Sequence, residues 1–190
     1  MEIIIPVLVV LGLIVVVPVG IVALMYNHLV GLRNRVTESW SNVDTELKRR
    51  YDLIPNLVET VKGYAAHERA VLQQVVEARG RAVASTGSAG SQARDENVLI
   101  GALRQLLAVA ENYPQLKASA NFLQLQQELA NTEDRIQAAR RFYNANVRDL
   151  NTRIGVFPSN VIAGVFGFKA EKFFEVEDSR VRTAPQVGFG

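Results

Sequence analysis

"LRNRVTESWSNVDTELKRRYDLIPNLVETVKGYAAHE", Leu32 to Glu68, decides the fold. Apolar residues recur in it at Leu32, Val36, Trp40, Val43, Leu47, Tyr51, Ile54, Val58, Val61 and Ala65, with spacings of 4, 4, 3, 4, 4, 3, 4, 3 and 4. That spacing predicts one apolar stripe along a helix. The first two repeats of 4-4-3 are eleven-residue units, which favour a straight or slightly right-handed helix over the left-handed supercoil of strict heptads.

Pro55 falls inside the stripe. It offers no N–H to the carbonyl of Tyr51, and its ring crowds that carbonyl, at about 3 kcal/mol in a helix interior. Two structures accommodate it: a kink in one long helix, or a break in which Asp52 caps a second helix with Pro55 in its first turn. The stripe keeps its phase across the proline and no Gly or Ser loop intervenes, so a kink at Tyr51, Asp52, Pro55 and Asn56 is the favoured reading. Asn56 or a water is expected to satisfy the freed carbonyl, within a polar cluster of Asp52, Asn56 and Glu59.

Upstream, Ile3 to Met25 carries no charged residue and is long enough, at about 1.5 Å per residue, to cross a hydrocarbon core of about 30 Å. A transmembrane helix is expected there. A cleaved signal peptide would want a basic n-region, a shorter apolar stretch and a small-residue cleavage site, and none of these is in the sequence. No Lys or Arg precedes the span, whereas Arg33, Arg35, Lys48, Arg49 and Arg50 follow it. The positive-inside rule then puts the N-terminus outside and the rest in the cytoplasm, as a single-pass membrane protein.

Downstream, Leu72, Val75, Val76 and Val83 continue the helical pattern to "STGSAGS", Ser85 to Ser91, where the chain should reverse. A third helix is expected from near Asp95 to Glu111, stopped by the proline of "NYP". A fourth should run from about Gln115 to Ile154. In it Phe122, Leu129, Ile136, Tyr143 and Leu150 lie seven apart, with Leu125, Thr132 and Ala139 between them, a seam of the coiled-coil type. Ser159 is expected to cap a short apolar segment that follows "GVFPSN". The predicted fold is all-α: a transmembrane anchor (1–25), an antiparallel bundle of three to four long helices (26–157), and a short apolar helix with a polar tail (158–190).

The residues that carry chemistry elsewhere are sparse. The 190 residues include no cysteine and two histidines, and a sequence pI of 9.0 arises from charges of alternating sign. No basic face of the kind that binds nucleic acid is evident. His67-Glu68 begins like a zinc-protease motif, but Val71 stands where the second histidine belongs. No nucleophile elbow or phosphate-binding loop occurs, and no catalytic residue, cofactor or metal is predicted. Glu46 and Arg50 are spaced for an i,i+4 ion pair, of little weight if exposed. Arg135, Arg140, Arg141 and Arg148 could meet an acidic partner or form a solvated face. Val161, Ile162, Val165, Phe166, Phe168, Phe173 and Phe174 are too apolar to be left in water. They either dock onto the bundle or contact the bilayer or another subunit.

"LVGLRNRVTESWSNVDTELKRRYDLIPNLVETVKGYAAHE" and "NFLQLQQELANTEDRIQAARRFYNANVRDLNTRIGVFPSNVIAGVFGFKAEKFFE" resemble the two signature stretches of the bacterial LemA family. The resemblance implies an all-α bundle on one membrane anchor and supplies no catalytic residues. It also implies a tie to membrane organisation, since a relative takes part in magnetosome membrane biogenesis and family members associate with membrane proteases of the heat-shock type. Two functions are therefore expected: a non-catalytic scaffold that self-associates as a homo-oligomer on the lipid bilayer, or an adaptor for a membrane protease or envelope-stress component.

Overall fold

The stripe from Leu32 to Ala65 is the inward side of one helix, α1 (Ile4–Tyr64), followed by a buried turn residue. Every stripe residue is buried except the half-buried Trp40, and Leu29 and Leu57 join them. Burial of a large aliphatic side chain contributes about 1.5–3 kcal/mol, so this stripe outweighs the local penalty at Pro55 several times over. The helix passes through Pro55 unbroken, which excludes the break. The computed structural model describes residues 4–176, without the side chains of residues 6–10; the start of the predicted span at Ile3 and the polar tail from residue 177 lie outside them.

The described residues are all-helical apart from their connections. After α1 come α2 (Arg69–Ala84), α3 (Ala89–Ala110), the single turn α4 (Pro114–Lys117), α5 (Ala120–Gly155) and α6 (Ser159–Val165). They divide into two compact units. One holds α1 up to Asn42 with Arg141–Glu171; the other holds Val43–Arg140 with residues 172–176.

In the second unit, α1 ends earlier than expected. The pattern at Leu72, Val75, Val76 and Val83 belongs to a new helix, because the chain turns at Ala65–Glu68, where the Glu68 N–H donates to the Ala65 carbonyl at 3.1 Å. α2 then runs back along α1, with Leu72 and Val75 buried and Val76 and Val83 exposed. Periodicity did not register this reversal because both helices bury a stripe in the same core. α3 begins six residues before Asp95, at Ala89, and its first turns face inward through the small Ala89 and Ala93 together with Gln92. Such residues read as loop in a sequence. The expected fourth helix is split at Ala118–Ser119 into α4 and α5. The α5 seam is an internal one: Phe122, Thr132 and Ile136 in this unit are buried, and Leu125, Leu129 and Ala139 are half-buried.

In the first unit, Leu29, Leu32, Val36 and Ser39 of α1 are buried, as are Tyr143, Val147 and Leu150 of α5. Trp40 and Tyr143 pack with ring centroids 5.2 Å apart and planes tilted by 59°. Pro158, not Ser159, occupies the cap of α6. Ser159 turns backward instead, its hydroxyl within 2.7 Å of the Arg153 carbonyl and 3.0 Å of the Val156 carbonyl, where the end of α5 needs donors. α6 closes on Gly167 at φ +71, with the Phe168 N–H donating to the Ala163 carbonyl (2.9 Å) and the Gly167 N–H to that of Gly164 (3.4 Å). This is a Schellman ending, which requires the left-handed residue that glycine provides.

Candidate functional site

Two places hold side chains that sequence alone could not rank. The first is a buried polar cluster in the second unit. Arg50 is 2% exposed, and the spacing suggested Glu46 as its partner. Its guanidinium instead reaches Glu96 of α3, fully buried, and Glu133 of α5 at 2.8 Å. The Tyr51 hydroxyl donates to the other oxygen of Glu96, and the Gln92 amide donates to the Tyr51 oxygen (3.0 Å) and to the Ala82 carbonyl (3.2 Å). Burial, and then the adjacent Glu96 carboxylate, pushes the Tyr51 phenol well up from its ordinary value. It therefore stays a donor. One positive and two negative charges are thus held among α1, α3 and α5, each hydrogen-bonded, as buried charges must be.

Of the predicted kink residues, Tyr51 belongs to this cluster and the others do not. Asp52, Pro55, Asn56 and Glu59 are exposed, and Glu59 pairs with Lys62 at 3.2 Å. The carbonyl of Tyr51 is met neither by Asn56 nor in the polar cluster expected there; Arg79 of α2 donates its Nε to it at 2.7 Å. Arg79 and Glu96 were the residues missed. A signal for Glu96 existed: Gln92, Glu96, Leu99, Leu103, Leu106 and Ala110 recur at helical spacing, so a carboxylate occupies an inward position.

Beside the cluster lies a mainly apolar cleft of about 380 Å³, lined by Arg50, Leu103, Leu107, Leu129, Ile136 and Arg140 among others. Arg140 also donates to the Val176 carbonyl at 2.5 Å. Of the other predicted arginines, Arg135 shares a groove with Asp52, Lys48 and Arg49, Arg141 is exposed, and Arg148 lines a groove in the first unit. The four are not gathered on one face of α5. At about 100° per residue, Arg140 lies about 140° round from Arg135. No group of three or more His, Asp or Glu side chains able to hold a metal occurs among the described residues.

The second place is the end of the first unit next to the apolar run. α1 is long and apolar enough to cross a membrane. Tyr26, the next residue after Met25, packs against Phe166 at 4.8 Å and Phe168 at 5.9 Å between centroids, and the Arg33 guanidinium stands 5.3 Å over the Phe168 ring. Of the predicted apolar contact residues, Phe174 is fully buried in the second unit, Ile162, Phe168 and Phe173 are half-buried, and Val161, Val165 and Phe166 are exposed. Asn151 fixes the segment that follows, donating to the Glu171 carbonyl and accepting from its N–H, both at 2.9 Å.

The sequence resembles several known proteins. Magnetosome protein MamQ 2 of Paramagnetospirillum magneticum is 27% identical, over 79% of this chain and 64% of the relative. Magnetosome protein MamQ of Magnetospirillum gryphiswaldense is 26% identical, over 78% and 64%. Protein LemA of Metamycoplasma hominis is 28% identical, over 72% and 63%. The chain thus spans somewhat under two thirds of the length of these curated relatives. The LemA family profile matches residues 39–189, which is most of the chain, and the protein belongs to the LemA family.

Proposed function

We propose that this protein is a non-catalytic scaffold of the bacterial inner membrane, anchored once, with its N-terminus outside and its helical domain in the cytoplasm. There it self-associates and organises or shapes the membrane. The observation that carries the reading is the continuity of α1. Leu29 is fully buried only four residues beyond Met25, so protein packing starts where the apolar run stops. Orientation rests on the lysines and arginines, which begin at Arg33. The likeness to two magnetosome proteins points the same way.

Most of the α5 seam is buried inside the chain, so this reading assigns self-association to the span, whose residues 11–20 are all exposed in the single chain. The mass of the full-length protein in a mild detergent tests it. A defined oligomer is expected; a monomer at all concentrations overturns the scaffold. An adaptor is then the reading that remains, favoured by Arg141 and Arg148, both exposed and about 20° apart on α5. In-cell crosslinking separates the two, since a scaffold captures itself and an adaptor captures a membrane protease or another envelope protein.

A further inference from the structure

α6 is turned inside out. Ser159 and Ala163 point inward and are buried, while Val161 and Val165, on the opposite side of the same two turns, are 54% and 74% exposed. Phe157 just before the helix is 81% exposed and Phe166 just after it is 51% exposed. A soluble protein of this size that buries a serine and turns two valines and two phenylalanines outward leaves an apolar patch for something else to cover.

Position says what covers it. Both flanks of α6 lie beside the first turns of α1 beyond the apolar run: Phe166, just after the helix, packs on Tyr26, and Val156, three residues before it, lines a groove with His28 and Leu32. At about 1.5 Å per residue, these α1 residues lie within about 10 Å of Met25. The headgroup layer of one leaflet is about 5–8 Å thick, which puts α6 at its depth. The groove beside the patch, of about 480 Å³, is lined by His28, Arg35, Arg148 and Arg153 with Asp149 as the one acidic residue. Apolar side chains next to arginines suit the boundary between acyl chains and lipid phosphates. A seven-residue helix is too short to hold a membrane alone, but α1 already tethers it there at high effective concentration.

We infer that α6 and its flanking turns form a foot on the cytoplasmic leaflet, with Phe157, Val161, Val165 and Phe166 immersed in the bilayer interface and Arg35, Arg148 and Arg153 facing lipid phosphates. The inference rests on the reading that α1 spans the bilayer, and the test separates the two. The chain has no cysteine, so single nitroxide labels can be placed directly in the full-length protein. Labels at Phe157→Cys and Val165→Cys report on the foot, Val16→Cys on the span, and Val76→Cys on an exposed site of α2.

The protein is reconstituted in vesicles of phosphatidylethanolamine and phosphatidylglycerol, and collision with lipid-soluble oxygen is compared with collision with an aqueous nickel chelate. The foot is supported if the oxygen-to-nickel ratio at 157 and 165 is several-fold above that at 76, and if Arg148→Gln with Arg153→Gln lowers it. Nickel access at 157 and 165 equal to that at 76, with the label at 16 still shielded, overturns the foot and leaves the anchor. Nickel access at 16 overturns both. Shielding at 157 and 165 with spin–spin broadening that disappears on dilution with unlabelled chain assigns the patch to a second copy and overturns the bilayer.

Discussion

The Nε of Arg79 stands 2.7 Å from the carbonyl oxygen of Tyr51, the group that Pro55 leaves without its helical N–H donor. A side chain from the neighbouring helix completes the backbone ladder of α1. Arg79→Ala is expected to destabilise the protein by about 1–3 kcal/mol, the cost of an unsatisfied, largely buried carbonyl. In a Pro55→Ala background the restored N–H should make the same substitution clearly less costly. Urea unfolding of the full chain in mild detergent, followed by circular dichroism, measures the coupling; equal losses in both backgrounds would show that Arg79 acts elsewhere.

Glu96 carries the larger stake. Its removal leaves Arg50 at 2% exposure with Glu133 as its remaining ion-pair partner and takes the acceptor from Tyr51. Glu96→Ala should cost about 3–5 kcal/mol, as for other broken buried pairs. Replacing Arg50 and Glu96 together with Met and Leu should recover much of it. The same urea titration checks both variants.

Alkaline pH tests two buried phenols. Burial and then the Glu171 carboxylate push Tyr143 up to about 12 from 10.0, and burial and then Glu96 also push Tyr51 up. The folded chain favours the neutral phenol, so this contribution is complete below pH 10 and is lost as pH rises through about 12. Stability should therefore decline over that interval. Trp40, the one tryptophan, packs against Tyr143, so its fluorescence should be quenched near pH 12 as tyrosinate forms, and Tyr143→Phe should abolish that step.

The aromatics near the C-terminus should separate sharply. Phe174 is fully buried and Phe157 is 81% exposed. Phe174→Ala should destabilise by about 3–5 kcal/mol, whereas Phe157→Ala should stay within about 0.5 kcal/mol. Comparable losses on thermal unfolding would contradict the placement of one of them.

Gly167 has φ +71 and open space where a Cβ would go. Gly167→Ala should therefore cost only about 1 kcal/mol, the strain of a left-handed alanine. A small fall in melting temperature should accompany loosening of Phe168 from Tyr26 and Arg33, measurable by NMR of labelled phenylalanine.

The sequence disclosed α1 almost whole, because its stripe is large, regular and uninterrupted from Leu32 to Ala65. It concealed the turn at Ala65–Glu68, since apolar period persists on either side of a reversal into the same core. The start of α3 was hidden for the opposite reason: Ala89 and Ala93 bury little and resemble loop. The arginines of α5 were visible as residues but not as a site, because pairing depends on which helix stands opposite. Arg50 shows this best. Its local partner was Glu46 four residues away, and its actual partners lie 46 and 83 residues on, in α3 and α5. The apolar character of Phe166 to Phe174 was plain, yet the split between a buried anchor at Phe174 and an exposed patch on α6 depends on three-dimensional packing.

The lack of any linker between Met25 and Leu29 has a mechanical meaning. A flexible tether would let the anchor spin and tilt while the domain ignored it. With the apolar run anchored as proposed, turning it about its axis turns Leu29, Leu32 and Val36 against the residues that pack on them. Forces from lipid, such as a change in bilayer thickness, would reach the core as torque on a single shaft. A protease cutting at the membrane surface would likewise remove part of the packed helix rather than release an intact domain.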